Sequence, residues 1–292
     1  KLKLASPQPG TPEAGVAAIA DAMGYFKNEG LEVEFVFTQG GGDTVQAVQV
    51  AGGADIGMLT GPMSILGAIE KGADLKIIAG AVTPADQSWI TTKDSPYKSI
   101  KDLAGKPVGY TSAGSSSNLY LLGIFEKEGV KADLVAAGAL GGNMWTQIKT
   151  GQLAAGLAQP PDLWLRMEQE GARRLFGTTD YPEFANYTYT VHFARGDAVK
   201  TKPEAIKAFL RGWKRAAELV AKDPATATKA YLPNTELSED LVLRYFKNIP
   251  PTKFNLKPIG GMDITIRYAK QFKFITKDPD FNQVVDLSLV PD

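Results

Sequence analysis

The sequence predicts an α/β fold built from two lobes, each a mixed sheet flanked by helices. Three observations support this prediction. The chain has 292 residues, more than one small core requires. Short strand-like apolar runs alternate with helical patterns as far as about Gly177. A shift of 99 residues also aligns one half of this region with the other.

The first elements carry recognisable start and stop signals. The segment "KLKLA" reads as a strand, and a helix is predicted over residues 11–30. Thr11 suits its N-cap, Pro12 its first position, Glu13 its first turn and Gly30 its end. The strand "LEVEFVF" follows, and then a helix for which Asp43 is the predicted cap.

The alternation continues through the strands "ADIGMLT" and "DLKIIAG", separated by a helix, and restarts near Trp89. Residues 187–195 predict an aromatic and β-branched strand, after which helices predominate. The helix "KPEAIKAFLRGWKRAAELVAK" places apolar side chains on one face, which we expect to be core packing: Ile206, Phe209, Leu210, Trp213 and Ala217.

The repeat aligns residues 4–73 with 103–172 without gaps. Seventeen of the 70 pairs are identical, against about four to six expected by chance for this ordinary composition. Eight of the identical pairs are glycines, so one explanation is that two unrelated α/β stretches need glycine in their turns at similar intervals. We favour the other, in which both lobes repeat one βαβα unit.

Composition excludes several classes of function. Lys plus Arg and Asp plus Glu balance at 32 each, which argues against a general nucleic-acid or anionic-membrane binder. The absence of cysteine excludes disulfides and thiolate chemistry, and the single His192 leaves no histidine pair for zinc. No run of 18 apolar residues is present, and no signal segment stands at the start of this chain.

Ligands of open α/β sheets bind outside the carboxyl ends of the strands. The repeat makes three loops of each lobe equivalent there: residues 6–11, 38–43 and 60–64, and residues 111–117, 138–143 and 159–164. Glycines, hydroxyls and helix N-termini in these loops can hold a small anion, whereas the absence of Lys and Arg disfavours a multiply charged phosphate. A neutral or zwitterionic ligand fits equally well.

Catalytic and nucleotide motifs are weak. The glycine stretches match neither a P-loop nor a dinucleotide fingerprint, and "GSSSN" is not a nucleophile elbow. We interpret His192 as a satisfied structural residue of a strand. The sequence therefore predicts no catalytic residue, no metal and no cofactor.

Longer segments resemble a known family. "DSPYKSIKDLAGKPVGY", "GSSSNLYLLGIFEKEGV" and "TGQLAAGLAQPPDLWLRMEQEGARRL" are similar to the nitrate/sulfonate/taurine group of ABC-transporter substrate-binding proteins. The resemblance covers nearly the whole chain and is strongest over residues 22–175. It implies the two-lobed type II periplasmic-binding fold with a two-crossing hinge. It also implies capture of a ligand in the cleft and its delivery to a membrane permease.

The resemblance assigns ligand contacts in the loops named above, and we add Tyr187 as an aromatic wall near the hinge. The predicted ligand-binding residues are Ser6, Gln8, Gln39, Gly41, Thr60, Gly61, Ser112, Ser115, Ser116, Gly142, Asn143, Gln159, Asp162 and Tyr187. Related proteins include pyrimidine synthases of thiamine biosynthesis. These rely on histidine and a cysteine-rich motif, and the absence of cysteine with only one histidine speaks against that role here.

We therefore predict a periplasmic or extracytoplasmic solute-binding protein, not an enzyme. It is expected to be a monomer that binds no nucleic acid and captures a small organic ligand, an anion such as a sulfonate or carboxylate. Lobe one is predicted as residues 1–83 plus 192–292 and lobe two as residues 87–187, with the hinge near 83–87 and 185–193. The alternatives are an enzyme on the same fold, a binder of pyrimidine-type ligands and the sensing domain of a transcription regulator.

Overall fold

The computed structural model describes residues 1–7, 11–50, 52–140 and 142–292. Ten strands occur in these residues: β1 (Leu2–Pro7), β2 (Val33–Thr38), β3 (Ile56–Thr60), β4 (Leu75–Val82), β5 (Ser88–Thr92), β6 (Pro107–Tyr110), β7 (Asp133–Ala136), β8 (Gly156–Ala158), β9 (Ala172–Gly177) and β10 (Thr190–Arg195).

The same residues form thirteen α-helices: α1 (Pro12–Ala22), α2 (Tyr25–Asn28), α3 (Gly41–Gln49), α4 (Pro62–Glu70), α5 (Ser116–Glu128), α6 (Gly142–Lys149), α7 (Asp162–Gln169), α8 (Gly196–Thr201), α9 (Pro203–Lys222), α10 (Pro224–Tyr231), α11 (Glu239–Asn248), α12 (Met262–Gln271) and α13 (Phe281–Val284). Short 3₁₀ turns cover Ile100–Leu103, Thr178–Asp180, Pro182–Phe184 and Leu232–Asn234.

The larger sheet has five strands in the order β2-β1-β3-β10-β4. The first three strands are parallel, and β10 runs antiparallel between β3 and β4. All five strands come from residues assigned to predicted lobe one or to the predicted hinge. Strand β3 is buried along its whole length, so this sheet forms a core with helices packed against it.

Two smaller sheets, β8-β5-β9 and β6-β7, come from residues 88–177. Strands β6 and β7 are parallel, whereas β5 is antiparallel to both β8 and β9. An isolated parallel bridge between Val108 and Ala155 joins the two sheets, with the Gly109 amide donating to the Ala155 carbonyl over 2.9 Å. The combined strand order is therefore β7-β6-β8-β5-β9.

The two sheets have the same topology. The order β2-β1-β3-β10-β4 corresponds strand for strand to β7-β6-β8-β5-β9, with an antiparallel strand fourth in both. The 99-residue shift superposes β2, α3, β3 and α4 on β7, α6, β8 and α7 within about two residues. It misplaces the first helices, because the N-caps Thr11 and Ser115 are 104 residues apart. The repeat thus holds with a short insertion near its start.

Two local predictions are wrong. The helix predicted over residues 11–30 is divided into α1 and α2, because Gly24 adopts a left-handed conformation with φ of 69°. Asp43 does not cap α3; the helix begins two residues earlier, with Gly40 at the N-cap, so Asp43 lies in the first turn. The cap predicted at Thr11 is confirmed, since its hydroxyl accepts the Ala14 amide over 3.4 Å.

The predicted apolar face of α9 is confirmed as core. Ile206, Phe209, Leu210, Trp213 and Ala217 are all buried. Phe209 stacks on Phe26 with ring centroids 5.9 Å apart, which fixes α9 against α2. These contacts stabilise the larger sheet and the helices that begin at its edge.

Candidate functional site

Three helix N-termini meet at the carboxyl edges of the two sheets. Helices α3 and α4 follow strands of the larger sheet, and α5 follows β6 of the smaller sheets. A Cβ atom built on Gly61 would lie 2.5 Å from the Ser116 amide nitrogen, and one on Gly41 would lie 3.8 Å from the Ser115 Cα. Glycine at these positions lets backbone from both predicted lobes approach closely at the helix N-termini.

The serine-rich segment before α5 is an organised cap. The Ser115 hydroxyl accepts the Asn118 amide over 3.2 Å and lies 3.0 Å from the Ser117 hydroxyl. The Ser117 hydroxyl in turn accepts the Thr111 amide over 3.1 Å. Ser115 therefore caps the first turn of α5, Ser117 ties that turn to Thr111 at the end of β6, and Ser116 beside them lines the adjoining cavity.

A small cavity of about 50 Å³ lies between the two sets of loops. Residues of both predicted lobes line it: Pro7, Thr11, Glu13, Gly41, Leu59, Gly61, Gln87, Thr111, Ser115, Ser116, Ser117, Leu140, Leu157, Gln159, Tyr189 and Thr190. It adjoins a wider groove of about 1060 Å³ that shares Thr11, Leu140 and Gln159 with it. The arrangement suits a small head group in the cavity and a larger body in the groove.

Glu13 links the two predicted lobes inside this cavity. Its carboxylate accepts hydrogen bonds from the Gln159 amide and from the hydroxyls of Tyr189 (3.0 Å) and Tyr245 (3.4 Å). Burial raises the pKa of Glu13 to about 7, and the negative charge of Asp86 adds to the rise. A carboxyl group with this pKa can bind or release a proton near neutral pH.

A second charged pair lies close to Glu13. The Lys253 ammonium is almost completely buried, lies 3.0 Å from a carboxylate oxygen of Asp86 and donates to the Pro84 carbonyl over 3.0 Å. Both charges of this pair act on Glu13, in opposite directions. Glu13, Asp86 and Lys253 thus form one electrostatic cluster next to the cavity.

The structure brings several of the predicted ligand contacts to these spaces. Gly41, Gly61, Ser115, Ser116 and Gln159 line the small cavity. Ser6, Gln39, Gln159 and Asp162 line the groove. Asp162 is held there by two hydrogen bonds from Arg166, of 3.1 and 2.8 Å, so its carboxylate already has a cationic partner.

Other predicted contacts have different positions. Thr60, Ser112, Asn143 and Tyr187 are described residues that do not line either space. Ser112 instead accepts the Gly42 amide over 3.0 Å across the cleft, and the buried Tyr187 hydroxyl lies 2.8 Å from that of Thr265. Gly142 begins α6, and Gln8 lies outside the described residues. Ligand contact by any of the fourteen residues stays a prediction.

His192 is a core residue of β10. It is completely buried, and its ring meets Phe209 and Trp213 edge-on at centroid distances of 5.4 and 5.0 Å. Neither ring nitrogen has a hydrogen-bond partner among the described residues. His192 is therefore a structural residue as predicted, but its hydrogen-bonding groups are not satisfied. Burial lowers its pKa to about 3, which keeps the ring neutral.

The described residues contain no group of three or more His, Cys, Asp or Glu side chains arranged to hold a metal ion. Within the same residues, no helix is long and apolar enough to cross a membrane.

The residues that sequence reasoning missed are Glu13 as a buried cavity group, Gln87, Tyr189, Thr190, Tyr245 and Lys253. The partners of Glu13 lie 146, 176 and 232 positions away, so no local motif identifies them. One available signal was Glu13 itself, a carboxylate in the first turn of an otherwise Ala-rich helix at the predicted cleft.

Curated relatives match much of the chain. The Saccharomyces cerevisiae 4-amino-5-hydroxymethyl-2-methylpyrimidine phosphate synthase THI13 is 22% identical over 78% of this chain and 70% of its own length. The Aspergillus parasiticus protein of the same name is 24% identical over 92% of this chain and 74% of its own. These relatives are named as enzymes, so the prediction that the protein is not an enzyme is wrong on this comparison.

Solved structures share the fold over nearly the whole chain. The periplasmic aliphatic sulphonate binding protein SsuA from Escherichia coli has a TM-score of 0.72 at 20% identity, with 97% of this chain and 90% of that chain covered. The nitrate-binding protein NrtA from Synechocystis has a TM-score of 0.76 at 14% identity, with coverage of 99% and 86%. At such identities the likeness establishes the fold, which is the predicted periplasmic-binding-protein fold.

The family comparison covers most of the chain. The model described as "NMT1/THI5 like" matches residues 12–227, a range that contains the helix N-termini, Glu13 and most of the cavity lining. The predicted resemblance to the sulfonate- and nitrate-binding group is confirmed by the structural neighbours. The chain therefore belongs to the NMT1/THI5-like family.

Proposed function

We propose that the protein is the extracytoplasmic solute-binding component of an ABC importer. It binds a small organic ligand in the cleft between the two predicted lobes, with residues 83–87 and 185–193 as the hinge. The observation that carries this proposal is the convergence of α3, α4 and α5 on one cavity lined from both sides. A ligand that contacts both sides stabilises the closed form in preference to the open one.

The acceptor end of the ligand is assigned to the helix N-termini. Pro62 at the start of α4 has no amide hydrogen, and the Ser64 and Asn118 amides already donate to the Gly61 carbonyl and the Ser115 hydroxyl. The Met63, Ser116 and Ser117 amides are therefore the donors assigned to the ligand, and the helix dipoles add partial positive charge. The Ser116 side chain provides a further hydroxyl donor beside them. A single carboxylate or sulfonate group fits this environment.

The structural neighbours favour a transport role. SsuA from E. coli is described as a periplasmic sulphonate-binding protein, and NrtA as a periplasmic nitrate-binding protein. By analogy we assign this chain a small-molecule ligand, a membrane permease as its partner and a location outside the cytoplasm.

A ligand screen tests the proposal. Thermal unfolding is followed with sulfonates, carboxylates, nitrate, bicarbonate and pyrimidines, and each compound that binds is recovered and its chemical identity determined. Saturable stabilisation is expected for at least one carboxylate or sulfonate, with the compound recovered unchanged. If no compound raises the Tm, the proposal fails.

A serine substitution tests the position of the pocket. Ser116→Ala removes a hydroxyl that lines the cavity and is expected to weaken binding about three- to tenfold with little change in Tm. Ser115→Ala removes the N-cap of α5 and is expected to lower stability by about 1 kcal/mol as well. Isothermal titration and urea unfolding measure the two effects.

Asp223→Ala is the matched control for the cap. Asp223 caps α10 from an exposed position outside both spaces, so its removal costs stability without changing affinity. Unaltered affinity in Ser116→Ala would contradict the assignment of the pocket.

A second candidate is a pyrimidine-synthase-like enzyme that forms a pyrimidine compound in the same cleft. The curated relatives, which are named as pyrimidine phosphate synthases, support it. Glu13 supports it too, because a buried carboxyl group with a pKa near 7 can serve as a general acid or base. Formation of a pyrimidine compound from a supplied precursor, abolished in Glu13→Gln, would favour this candidate over transport.

A further inference from the structure

The small cavity contains buried polar atoms that no protein group satisfies. Gln87 and Thr190 are only 4% and 6% exposed and both line the cavity. The Gln87 Oε1 atom and the Thr190 hydroxyl have no hydrogen-bond partner among the described residues. Leaving such groups unpaired costs free energy, about 1–3 kcal/mol each, so these side chains are ready to bind a polar group placed in the cavity.

Glu13 sets the polarity of that group. An amide or a hydroxyl can donate or accept, but an ionised carboxylate only accepts. The Glu13 carboxylate takes three hydrogen bonds from Gln159, Tyr189 and Tyr245, which leaves about one of its four acceptor sites open. The cavity is therefore lined by hydrogen-bond acceptors as well as by the N-termini of α4 and α5.

The charges beside the cavity do not balance. Glu13 and Asp86 are two acids that share one base, Lys253, and Lys253 is already paired with Asp86 at 3.0 Å. With all three ionised, the cluster carries one uncompensated negative charge in a buried position, which is costly without a counter-ion. One positive charge in the cavity would balance it.

The adjoining groove has the same sign of charge. Four carboxylates and one arginine line it: Asp21, Asp162, Glu170, Glu236 and Arg166. Arg166 is already bound to Asp162 and Glu170, so it offers no free cation to a ligand. A net acidic entrance attracts cations and repels simple anions.

We propose that Glu13, Gln87 and Thr190 form a subsite for a protonated amino group of the ligand. The ammonium donates to the Glu13 carboxylate, to the Gln87 amide oxygen and to the Thr190 hydroxyl, while the acceptor group of the same ligand binds the N-termini of α4 and α5. The inference rests on the proposed binding function and narrows its ligand class to small zwitterions. Glu13 is the residue that determines this specificity.

The test compares acids that differ by one amino group. β-Alanine is paired with propionate, γ-aminobutyrate with butyrate, and taurine with ethanesulfonate, and affinities are measured by isothermal titration at about pH 8. At least one amino compound is expected to bind about tenfold or more tightly than its parent acid, because a charge-assisted hydrogen bond is added.

Variants connect this preference to the subsite. Glu13→Gln keeps the shape but removes the charge, and the ratio of affinities is expected to fall to about one. Thr190→Val removes one acceptor and is expected to reduce the ratio about threefold. Glu204→Gln, which changes an exposed carboxylate on α9 paired with Lys207, is the control and should retain the wild-type ratio.

The wild-type protein supplies a check that needs no substitution. The preference for the amino compound should fall between about pH 8 and pH 5.5, because Glu13 gains a proton over this range. This measurement decides the matter if Glu13→Gln does not fold.

The outcomes separate the two proposals. Parent acids that bind as tightly as their amino partners, or a preference that persists in folded Glu13→Gln, overturn the zwitterion subsite and leave the binding function standing. If neither the amino compounds nor any acid binds, the proposed function fails and the subsite fails with it.

Discussion

Two buried ionisable residues give the protein opposing responses to pH. Glu13 has its pKa raised to about 7, whereas His192 has its pKa lowered to about 3, and burial is the main cause of both shifts. Native Glu13 holds a proton that the unfolded chain releases between about pH 4.5 and 7, so stability falls as the pH rises through that window. Native His192 stays neutral, whereas the same ring in the unfolded chain binds a proton below about pH 6.5, so stability falls as the pH drops below that value.

Replacing Glu13 with glutamine isolates one of these responses. The unfolding free energy of Glu13→Gln minus that of the wild type is expected to increase by about 3 kcal/mol from pH 4.5 to 7 and then to level off. Urea unfolding at several pH values measures this difference. His192 contributes equally to both proteins and cancels.

The exposed control Glu204→Gln should show no such rise. A difference between Glu13→Gln and the wild type that stays constant with pH would mean that Glu13 titrates alike in the native and unfolded states. It would contradict the buried environment assigned to this side chain.

At the residue scale, the sequence predicted local signals better than long-range partners. The cap at Thr11 was predicted from a short motif and is present, whereas Ser115, which was predicted as a ligand contact, is the N-cap of α5. The Glu13 network could not be predicted, because Gln159, Tyr189 and Tyr245 come from three distant elements. Charge balance inside a cavity depends on tertiary packing, which a linear motif does not encode.

At the element scale, the close approach of α4 to α5 depends on Gly61. The N-cap of α4 has φ of −62° and ψ of 130°, an extended conformation that alanine also adopts. The obstacle to a side chain is therefore contact with α5, since a Cβ would meet the Ser116 nitrogen at 2.5 Å and the Ser115 carbonyl carbon at 3.0 Å. Both contacts are to backbone, which has little freedom to move aside.

Gly61→Ala is expected to hold the two sides of the cleft apart. Ligand affinity should fall about tenfold or more, while the unfolding free energy changes by less than about 1 kcal/mol, because the backbone conformation suits alanine. Isothermal titration and small-angle X-ray scattering measure the affinity and the radius of gyration.

Gly67→Ala, six residues further along α4, is the matched control. Its Cβ would lie 3.2 Å from the Phe274 carbonyl oxygen and outside both spaces, so affinity should not change. Equal affinities of Gly61→Ala and the wild type would show that the contact between α4 and α5 has no part in binding.

The sequence predicted the type of the helices and strands better than their exact bounds. Strand and helix types were predicted over the repeat, because hydrophobic period and glycine punctuation report them directly. The break between α1 and α2 at Gly24 was missed, because a glycine within a helical pattern does not by itself show that the helix ends there. Asp43 was misassigned because a glycine at the N-cap has no side chain to identify it.

At the scale of the whole molecule, the sequence repeat corresponds to a repeat of topology. Both sheets place an antiparallel strand fourth, and in each case this strand comes from outside the repeated β-strands: β10 in one sheet and β5 in the other. The sequence shift of 99 residues indicated the parallel part, whereas the exchanged antiparallel strands required the structure. Because β5 directly follows the first predicted hinge segment and β10 begins within the second, these strands connect the proposed movement of the lobes to the sheets.

Hydrogen exchange tests the central claim that ligand binds between the two predicted lobes. Amide exchange is measured by mass spectrometry with and without the compound from the ligand screen that raises the Tm most. Protection is expected to increase together in residues 41–44, 61–64 and 115–119, because α3, α4 and α5 contact one ligand from both sides. Protection confined to one side of the cleft, or found only in distant helices such as α12, would contradict the account.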